Sequence, residues 1–503
     1  MLNNSEKNWT TRILTSQSRR AEIFRYCCGC ACGLLIKISI SGLATALGIP
    51  MKFGYLAAHL AVLIESFAFH SLLTFRKRFS GAKELGLDIV KFISVAAAVK
   101  ILDYLTVVWI CTPLRDQYED ASGLKIQILN ATVIIGVAVF FFILRYILFR
   151  KIFRKPSPER CTGPVRAVFV THASDREIAA NAASGGFCTA LLNGMLKRGE
   201  IDGALVSVMD WSGDDPPTAR SEIVSDRAGL IAAQGSIYFD FPLLSAETMG
   251  KLRDFPGKLA VVALPCQAAA LRRICENDPI LAEKIVLVIG LFCGHATKRD
   301  LLLRVLEKKG IKPQEVEKFR FRRGRWRGQT AVRFKNRTER SWPTGFYNLY
   351  QNLFVMCAKR CLGCGDHFAE QADICCGDIW RLKYRRAQVK PSMVAIRTAR
   401  GEGAFDRALQ AGDFSAEVQT VLDLFKANSR SAIFHKAVAA RKRIFAKYGI
   451  DFSIPDGTPA PRWNELLAAR IVAPLYADPQ RALASSRRWL KFKLYVFKAL
   501  TSF

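Results

Sequence analysis

The sequence predicts a two-part chain, in which a membrane domain of four transmembrane α-helices is fused to a cytoplasmic α/β domain with a mostly parallel sheet. Three observations support this class. Four long apolar stretches lie within the first 150 residues, basic residues flank them unevenly, and strand-like apolar runs alternate with helical segments from residue 165 onward. The 503 residues suffice for two to four domains, and a half-hydrophobic composition excludes a disordered protein.

The predicted membrane domain covers residues 25–153 and follows a cytoplasmic arm, residues 1–24. A transmembrane helix needs about 20 apolar residues, and four stretches meet that length: Cys27–Gly48, Gly54–Phe75, Leu87–Thr112 and Ile126–Phe149. The sequence therefore predicts a multi-pass protein of the inner (cytoplasmic) membrane.

The distribution of basic residues predicts the orientation of these spans. The connection between the second and third spans contains Arg76, Lys77 and Arg78, whereas the first and third connections are poor in basic residues. Arginines also precede the first span, and Arg150 and Lys151 follow the last. Because basic segments stay on the cytoplasmic side, we expect both termini in the cytoplasm.

The ends of the second and fourth spans carry similar basic and aromatic sequences, ESFAFHSLLTFRKR and FFILRYILFRKIF. With the four-span layout, these segments make residues 25–153 resemble the GtrA-like family of membrane proteins. That resemblance implies an association with polyprenyl-phosphate-linked sugars and with the assembly of cell-surface polysaccharide.

The net charge of +31 raises the question of a nucleic-acid partner. No helix-turn-helix, zinc-finger or RNA-binding aromatic signature accompanies the charge. Since apolar spans are present, membrane lipids with anionic head groups are the simpler partner. We therefore expect no nucleic acid to bind.

Two segments border the α/β domain. Residues 154–164 contain three prolines and predict a linker. Residues 447–503 predict a C-terminal tail that ends in a basic amphipathic helix, with Trp489, Phe492 and Val496 on one face. Such a helix suits the membrane interface, but it equally suits packing on its own domain.

Four cysteines of the α/β domain predict a metal centre. Cys361 and Cys364 form a C-x-x-C pair, and Cys266 and Cys293 stand singly at the ends of apolar strands. Thiols in a reducing compartment bind metal rather than form disulfides. Both zinc and an iron–sulfur cluster accept four thiolates, and the spacing leaves both open.

A glycine pair lies where a helix is predicted to begin. Ser184, Gly185 and Gly186 occur in NAASGGFCTALL, and glycines at a helix N-terminus let backbone approach a phosphate. A simple helix cap explains the same residues equally well. No G-x-G-x-x-G motif follows a strand, so a standard dinucleotide fold is not predicted.

Seven motifs in order make residues 165–446 resemble the coenzyme F420 hydrogenase/dehydrogenase beta-subunit family. They are ASGGFCTALLNGMLKRGEIDGALV, AAQGSIYFDF, AVVALPCQAAALR, IGLFCGH, FRFRRGRWRGQTAV, CLGCGDHFAEQADICCGDIW and AIRTARGEG. The resemblance implies an oxidoreductase with FAD and a 4Fe-4S cluster. It assigns cluster ligation to Cys266, Cys293, Cys361 and Cys364, and FAD binding to Ser184, Gly185, Gly186, Gly235, Ser236 and Tyr238.

Two departures from that family refine the expectation. Ile237 occupies a position where a lysine is usual, and the ferredoxin-like insert of many members is absent, with Cys161 as its remnant. We therefore expect one cluster and an external electron donor, either a ferredoxin-like protein or a soluble reduced coenzyme, with coenzyme F420 left open. The arginines between Arg320 and Arg327 predict an electropositive mouth for an anionic coenzyme or phosphorylated substrate.

The resulting hypothesis is a membrane-anchored FAD and 4Fe-4S oxidoreductase that works at the cytoplasmic face. Its substrate would be a polyprenyl-phosphate-linked sugar in surface-polysaccharide metabolism. In the alternative hypothesis, the membrane domain carries polyprenyl-phosphate sugars and the redox-like domain is a non-catalytic scaffold.

Overall fold

A computed structural model describes residues 19–49, 51–75, 82–117, 136–137, 139–150, 158–324, 328–387 and 390–501. The chain divides into two compact units, Met1–Pro156 and Ser157–Phe503. The division falls inside the predicted linker, residues 154–164. Each unit is considered by itself.

The first unit is mostly helical over its described residues. Its helices are α1 (Arg19–Ala46), α2 (Met51–Ala68), which continues as a π-helical turn (Phe69–Thr74), and α3 (Ala82–Gln117), and residues 139–150 are also helical. Buried aromatic side chains join these segments, among them Tyr26, Phe92 and Phe149. Glu22, itself buried, accepts hydrogen bonds from Tyr146 at 2.8 Å and from Arg150 at 2.6 Å.

The prediction of four transmembrane helices is not supported by this unit. Among the described residues, Ala21–Ala44 is the one helix that is both long and apolar enough to cross a membrane, and Leu60–Thr74 is a shorter apolar helix. The predicted span Ile126–Phe149 lies mostly outside the described residues. Helices α2 and α3 coincide with the second and third predicted stretches, but a helical conformation alone does not make a segment a span.

The second unit contains a large sheet and a small one. The strands of the large sheet are β1 (Ala167–Ala173), β2 (Gly203–Asp210), β3 (Thr218–Val224), β4 (Leu259–Ala263), β5 (Ile285–Leu291), β9 (Ile374–Asp378), β10 (Ser392–Ile396) and β11 (Phe414–Gln419). They lie in the order β11-β1-β10-β9-β5-β4-β2-β3. The pairs β2–β4, β4–β5 and β5–β9 are parallel, and the strands on either side of them pair antiparallel. The predicted α/β class is confirmed, and the parallel pairs form the centre of the sheet.

Helices cover both faces of this sheet. The helices are α4 (Pro158–Thr162), α5 (Arg176–Asn181), α6 (Phe187–Lys197), α7 (Arg227–Ala232), α8 (Ala246–Asp254), α9 (Pro265–Asn277), α10 (Pro279–Lys284), α14 (Ala399–Gln410) and α15 (Val421–Lys436). One core packs Val261 and Val288 of the sheet against Leu271 of α9. The other packs Ile289 against Phe187 of α6 and Phe405 of α14. Burial of apolar side chains on both faces stabilises a three-layer architecture.

A third core lies under the small antiparallel sheet, which consists of β6 (Val316–Arg323), β7 (Gln329–Phe334) and β8 (Glu339–Pro343). The remaining helices are α11 (Arg299–Glu307), α12 (Gly345–Gln351), α13 (Lys359–Leu362), α16 (Val438–Phe445), α17 (Trp463–Ala477), α18 (Pro479–Ala484) and α19 (Arg487–Leu500). Val472, Leu490 and Phe497 of the predicted tail belong to this core. Residues 447–501 are therefore integrated in the second unit.

Candidate functional site

A cavity of about 310 Å³ opens at the carboxyl ends of the central parallel strands. Val206 and Ser207 of β2, Val262 and Ala263 of β4, and Gly377 of β9 line it. The loop after β5, residues 291–296, closes one side. Open α/β sheets bind ligands at this edge, outside the carboxyl ends of their parallel strands.

The predicted Ser-Gly-Gly turn lies at this cavity. Ser184 and Gly186 line it, and Gly186 adopts a left-handed conformation, with φ of +80°, directly before α6. The Gly185 N–H donates to the Ser392 hydroxyl at 2.9 Å, and a β-carbon on Gly185 would lie 2.6 Å from the Thr171 carbonyl. Gly185 thus allows two backbones to touch, whereas Ser184 and Gly186 face the ligand space.

The second predicted turn also lines the cavity. Gly235, Ser236 and Tyr238 all line the cavity, and Gly235 has a φ of +136° that favours glycine. The Thr297 N–H donates to the Tyr238 carbonyl at 2.9 Å, and the Tyr238 ring packs against Phe321 at 4.7 Å. All predicted flavin residues are therefore at or directly behind one cavity.

Two arginines of β6 hold these turns in place. Arg320 donates to the Asn181 carbonyl at 3.1 Å and to the Gln234 carbonyl. Arg322 donates to the Ala183 carbonyl at 2.9 Å. Arg325 and Arg327 of the predicted electropositive mouth lie outside the described residues. Arg320 and Arg322 donate hydrogen bonds to backbone carbonyls within the second unit.

Arg322 also belongs to a buried ionic cluster that sequence reasoning did not find. Asp378, at the end of β9, accepts hydrogen bonds from Arg322 and from Lys390, the latter at 2.7 Å. Burial acts to raise the pKa of the Asp378 carboxyl, but the charges of Arg322 and Lys390 hold that pKa far below its usual range. Asp378 is therefore ionised and serves as an acceptor at the cavity wall.

The cavity also contains polar atoms without a partner among the described residues. Gln267 accepts from the Leu264 N–H at 2.9 Å through Oε1, but its Nε2 is buried and unpaired. Gln234 donates through Nε2 to the Ile178 carbonyl at 3.1 Å, while its Oε1 is buried and unpaired. Buried polar groups normally have hydrogen-bond partners. The Gln267 Nε2 donor and the Gln234 Oε1 acceptor are therefore available to a polar ligand. A flavin ring, which is flat and carries both donors and acceptors, fits this chemistry.

The four predicted metal-ligating cysteines converge beside this cavity. Cys266 is exposed at the start of α9, Cys293 follows β5 and lines the cavity, and Cys361 and Cys364 lie in and after α13. Every pair among the four thiols interacts electrostatically. Four side chains that are distant in sequence therefore meet at one place.

Their acidities differ because their surroundings differ. Burial and the three neighbouring thiols raise the pKa of Cys293 well above its usual value. A hydrogen bond from Cys357, another from the Ala296 N–H and the nearby Arg360 charge lower the pKa of Cys361 to about 7 despite burial. Cys357 and Arg360 carried no motif that could have revealed this role.

Four converging thiols suit a metal centre, and zinc and an iron–sulfur cluster space such ligands differently. Within the part of the chain that the structure describes, no three Cys, His, Asp or Glu side chains are close enough to hold one metal ion. Zinc draws four sulfurs to about 2.3 Å from one centre. A four-iron cluster takes one thiolate at each of four irons and so spaces its ligands more widely.

A buried arginine supports the C-x-x-C loop. Arg441 of α16 is 1% exposed and donates to the Leu362 and Cys364 carbonyls, each at 2.7 Å, and to the Phe434 carbonyl. Burial lowers the pKa of Arg441 to about 10, while the nearby thiols act in the opposite direction. A single guanidinium thus ties the loop that carries Cys361 and Cys364 to the end of α15.

Two models of one protein family match residues of the second unit. Residues 168–247 match the family model for the N-terminal part of the coenzyme F420 hydrogenase/dehydrogenase beta subunit. Residues 257–420 match the model for the C-terminal part of the same protein. The C-terminal region therefore matches this family. Both matches lie outside residues 25–153, so the GtrA-like resemblance of the first unit is not shown by them.

Several curated proteins are similar to the same region. An uncharacterized protein of Methanocaldococcus jannaschii is 29% identical over 46% of this chain and 61% of its own length. The coenzyme F420-dependent sulfite reductase of that organism is 30% identical over 43% of this chain and 33% of its own length. The coenzyme F420 hydrogenase subunit beta of Methanothermobacter thermautotrophicus is 27% identical over 56% of this chain and 97% of its own. The chain thus spans less than two thirds of the first two relatives.

Proposed function

We propose that the chain is an oxidoreductase whose second unit binds FAD beside one 4Fe-4S cluster. The observation that carries the proposal is the meeting of the cavity, which has unpaired polar atoms, with four mutually interacting thiols at Cys293. The matching family and its oxidoreductase relatives support the same reaction class. When bound, a flavin exchanges electrons in pairs and an iron–sulfur cluster exchanges them singly.

The residues of the second unit would divide the work of holding these groups. Ser184, Gly186 and the turn from Gly235 to Tyr238 would bind FAD, and the unpaired Gln267 Nε2 would donate to it. Cys266, Cys293, Cys361 and Cys364 would hold the cluster. Arg360 lines the cavity and interacts with three of these thiols, so one positive charge would serve both groups.

The source of electrons forms a further part of the proposal. A protein with one cluster needs an external donor, either a ferredoxin-like protein or a soluble reduced coenzyme. Several relatives are named for coenzyme F420, which makes this deazaflavin the first soluble donor to test. Relatives named as hydrogenase subunits favour a redox partner protein as the second.

The location in the inner membrane, with both termini in the cytoplasm, is likewise proposed. The apolar helix Ala21–Ala44 supports a membrane location. The basic residues at both ends of residues 25–153 support cytoplasmic termini. A cytoplasmic second unit would keep its thiols in a reducing compartment.

The proposal is tested on the full chain purified without oxygen. We expect extractable FAD, about four irons and about four sulfides per chain, and broad visible absorbance. Replacement of any one of Cys266, Cys293, Cys361 or Cys364 by Ala should remove the cluster absorbance. Zinc in place of iron and sulfide, or a protein without flavin, would overturn the assignment.

Cysteines other than the four proposed ligands provide the controls for the cluster. Cys275 lies on α9, the same helix as Cys266, but it is not among the four thiols, so Cys275→Ala is a matched control. It should retain iron, sulfide and flavin. Cys188→Ala and Cys375→Ala should also leave the cluster nearly intact. A cluster lost in Cys275→Ala and kept in Cys266→Ala would show that the ligand set is wrong.

A further inference from the structure

Helix α19 (Arg487–Leu500) is anchored to its own unit by one face. Leu490 is 0% exposed and Phe497 packs against Phe434 at 4.9 Å. Ser486 caps the helix by accepting from the Trp489 N–H at 3.3 Å, and Asn464 donates to the Leu500 carbonyl at 3.0 Å. The helix is thus held in a fixed orientation without help from its other face.

That other face is aromatic and exposed. Trp489, Phe492, Tyr495 and Val496 are 51%, 56%, 67% and 37% exposed. Positions three and four apart share a side of a helix, so these side chains form one strip. Trp489 and Phe492 stack at 5.5 Å. An aromatic strip of this kind, on a helix already packed elsewhere, indicates an interaction surface.

The charges around the strip identify the partner. Helix α19 contains five basic residues and no acidic one. Arg488 and Lys491 are exposed beside the strip, and Lys493 lies 5.3 Å from the Trp489 ring. Lysine is depleted at protein–protein interfaces, whereas Trp, Tyr and basic side chains together are typical of the lipid headgroup region.

We propose that α19 docks the second unit on an anionic lipid surface through Trp489, Phe492 and Tyr495. Basic side chains at its edge would contact lipid phosphates, and the aromatic rings would enter the headgroup layer. This docking does not depend on the proposed redox function, because it involves neither the cavity nor the four cysteines.

The experiment is hydroxyl-radical footprinting of the full chain in nanodiscs, read side chain by side chain by mass spectrometry. With phosphatidylglycerol present, oxidation of Trp489 and Tyr495 should fall several-fold relative to pure phosphatidylcholine. High salt should weaken this protection. Oxidation of Tyr448, which is 45% exposed outside α19, serves as the internal reference.

A matched pair of variants separates lipid charge from other causes. Arg488→Gln/Lys491→Gln should lose the protection. The control Arg176→Gln/Lys197→Gln removes two exposed charges from α5 and α6 and should keep it. Equal oxidation in both lipids would overturn the proposal. Protection that persists in detergent and rises with protein concentration would also overturn it, since a second copy would then cover the strip.

Discussion

Asp378 at the cavity wall both compensates buried charge and fixes the backbone before the Ser-Gly-Gly turn. Asp378 neutralises Arg322 and Lys390, and through Arg322 it fixes the Ala183 carbonyl that precedes the Ser-Gly-Gly turn. Both cations are nearly buried, at 4% and 6% side-chain exposure. Removal of the carboxylate would leave two buried positive charges without compensation, which is the costly way to break an ion pair.

We therefore predict that Asp378→Asn lowers the free energy of unfolding by about 3–5 kcal/mol and weakens flavin binding. Because the folded pKa of this carboxyl is depressed, its stabilisation is present above about pH 4 and is lost as the pH falls further. Denaturant titration at pH 7 measures the loss. Asp215→Asn, whose carboxylate is 75% exposed beside Arg299, should change stability by less than about 1 kcal/mol.

Arg441 gives the second prediction at this scale. Arg441→Met removes the guanidinium that donates to the Leu362, Cys364 and Phe434 carbonyls. Each buried carbonyl left without a donor lowers the free energy of unfolding by about 1–3 kcal/mol. We expect a lower melting temperature and faster alkylation of Cys364 in cluster-free protein. Arg443→Met, two residues along the same helix but exposed, should behave as the parent. Equal alkylation rates in both variants would remove Arg441 from this role.

At the scale of elements, apolar runs predict strands better than their directions. One apolar run forms β5 (Ile285–Leu291), and Cys293 follows it, as predicted for a cysteine at the end of an apolar strand. By contrast, nothing in the apolar run of β1 reveals that it pairs antiparallel with both β10 and β11. Arg441 lies far along the chain from the C-x-x-C pair, so its contact depends on tertiary packing alone. The C-x-x-C motif therefore predicts the position of the thiol site, whereas tertiary packing alone provides the Arg441 contact that supports it.

The Ser-Gly-Gly turn gives the prediction at this scale. In Gly185→Ala, the new β-carbon would meet the Ser392 nitrogen and the Thr171 carbonyl, both backbone atoms, at 2.6 Å. Overpacking of this kind costs about 1–3 kcal/mol, and a displaced turn should reduce bound flavin. Gly250→Ala, in α8 with open space around it, should instead preserve flavin and stabilise slightly. Flavin per chain and melting temperature measure both.

At the scale of the whole molecule, the number of spans decides which side the second unit occupies. Ala21–Ala44 alone would place all later residues on the side opposite the N-terminus, whereas an even number of spans returns them to it. The proposed thiolate site needs a reducing compartment. Both points depend on the connection that carries Arg76 to Arg78, which the positive-inside rule predicts to be cytoplasmic.

Reporter fusions to the first unit test the proposed membrane arrangement. Fusions at Ala82 and after Arg154 should report the cytoplasm, because basic residues flank both points. A fusion after Lys52, in a connection with one basic residue, should report the opposite side and serves as the control. If all three fusions report the side opposite the N-terminus, Ala21–Ala44 is the only crossing before residue 154. The second unit would then share the compartment of that control, and a thiolate-held cluster there would need protection from oxidation.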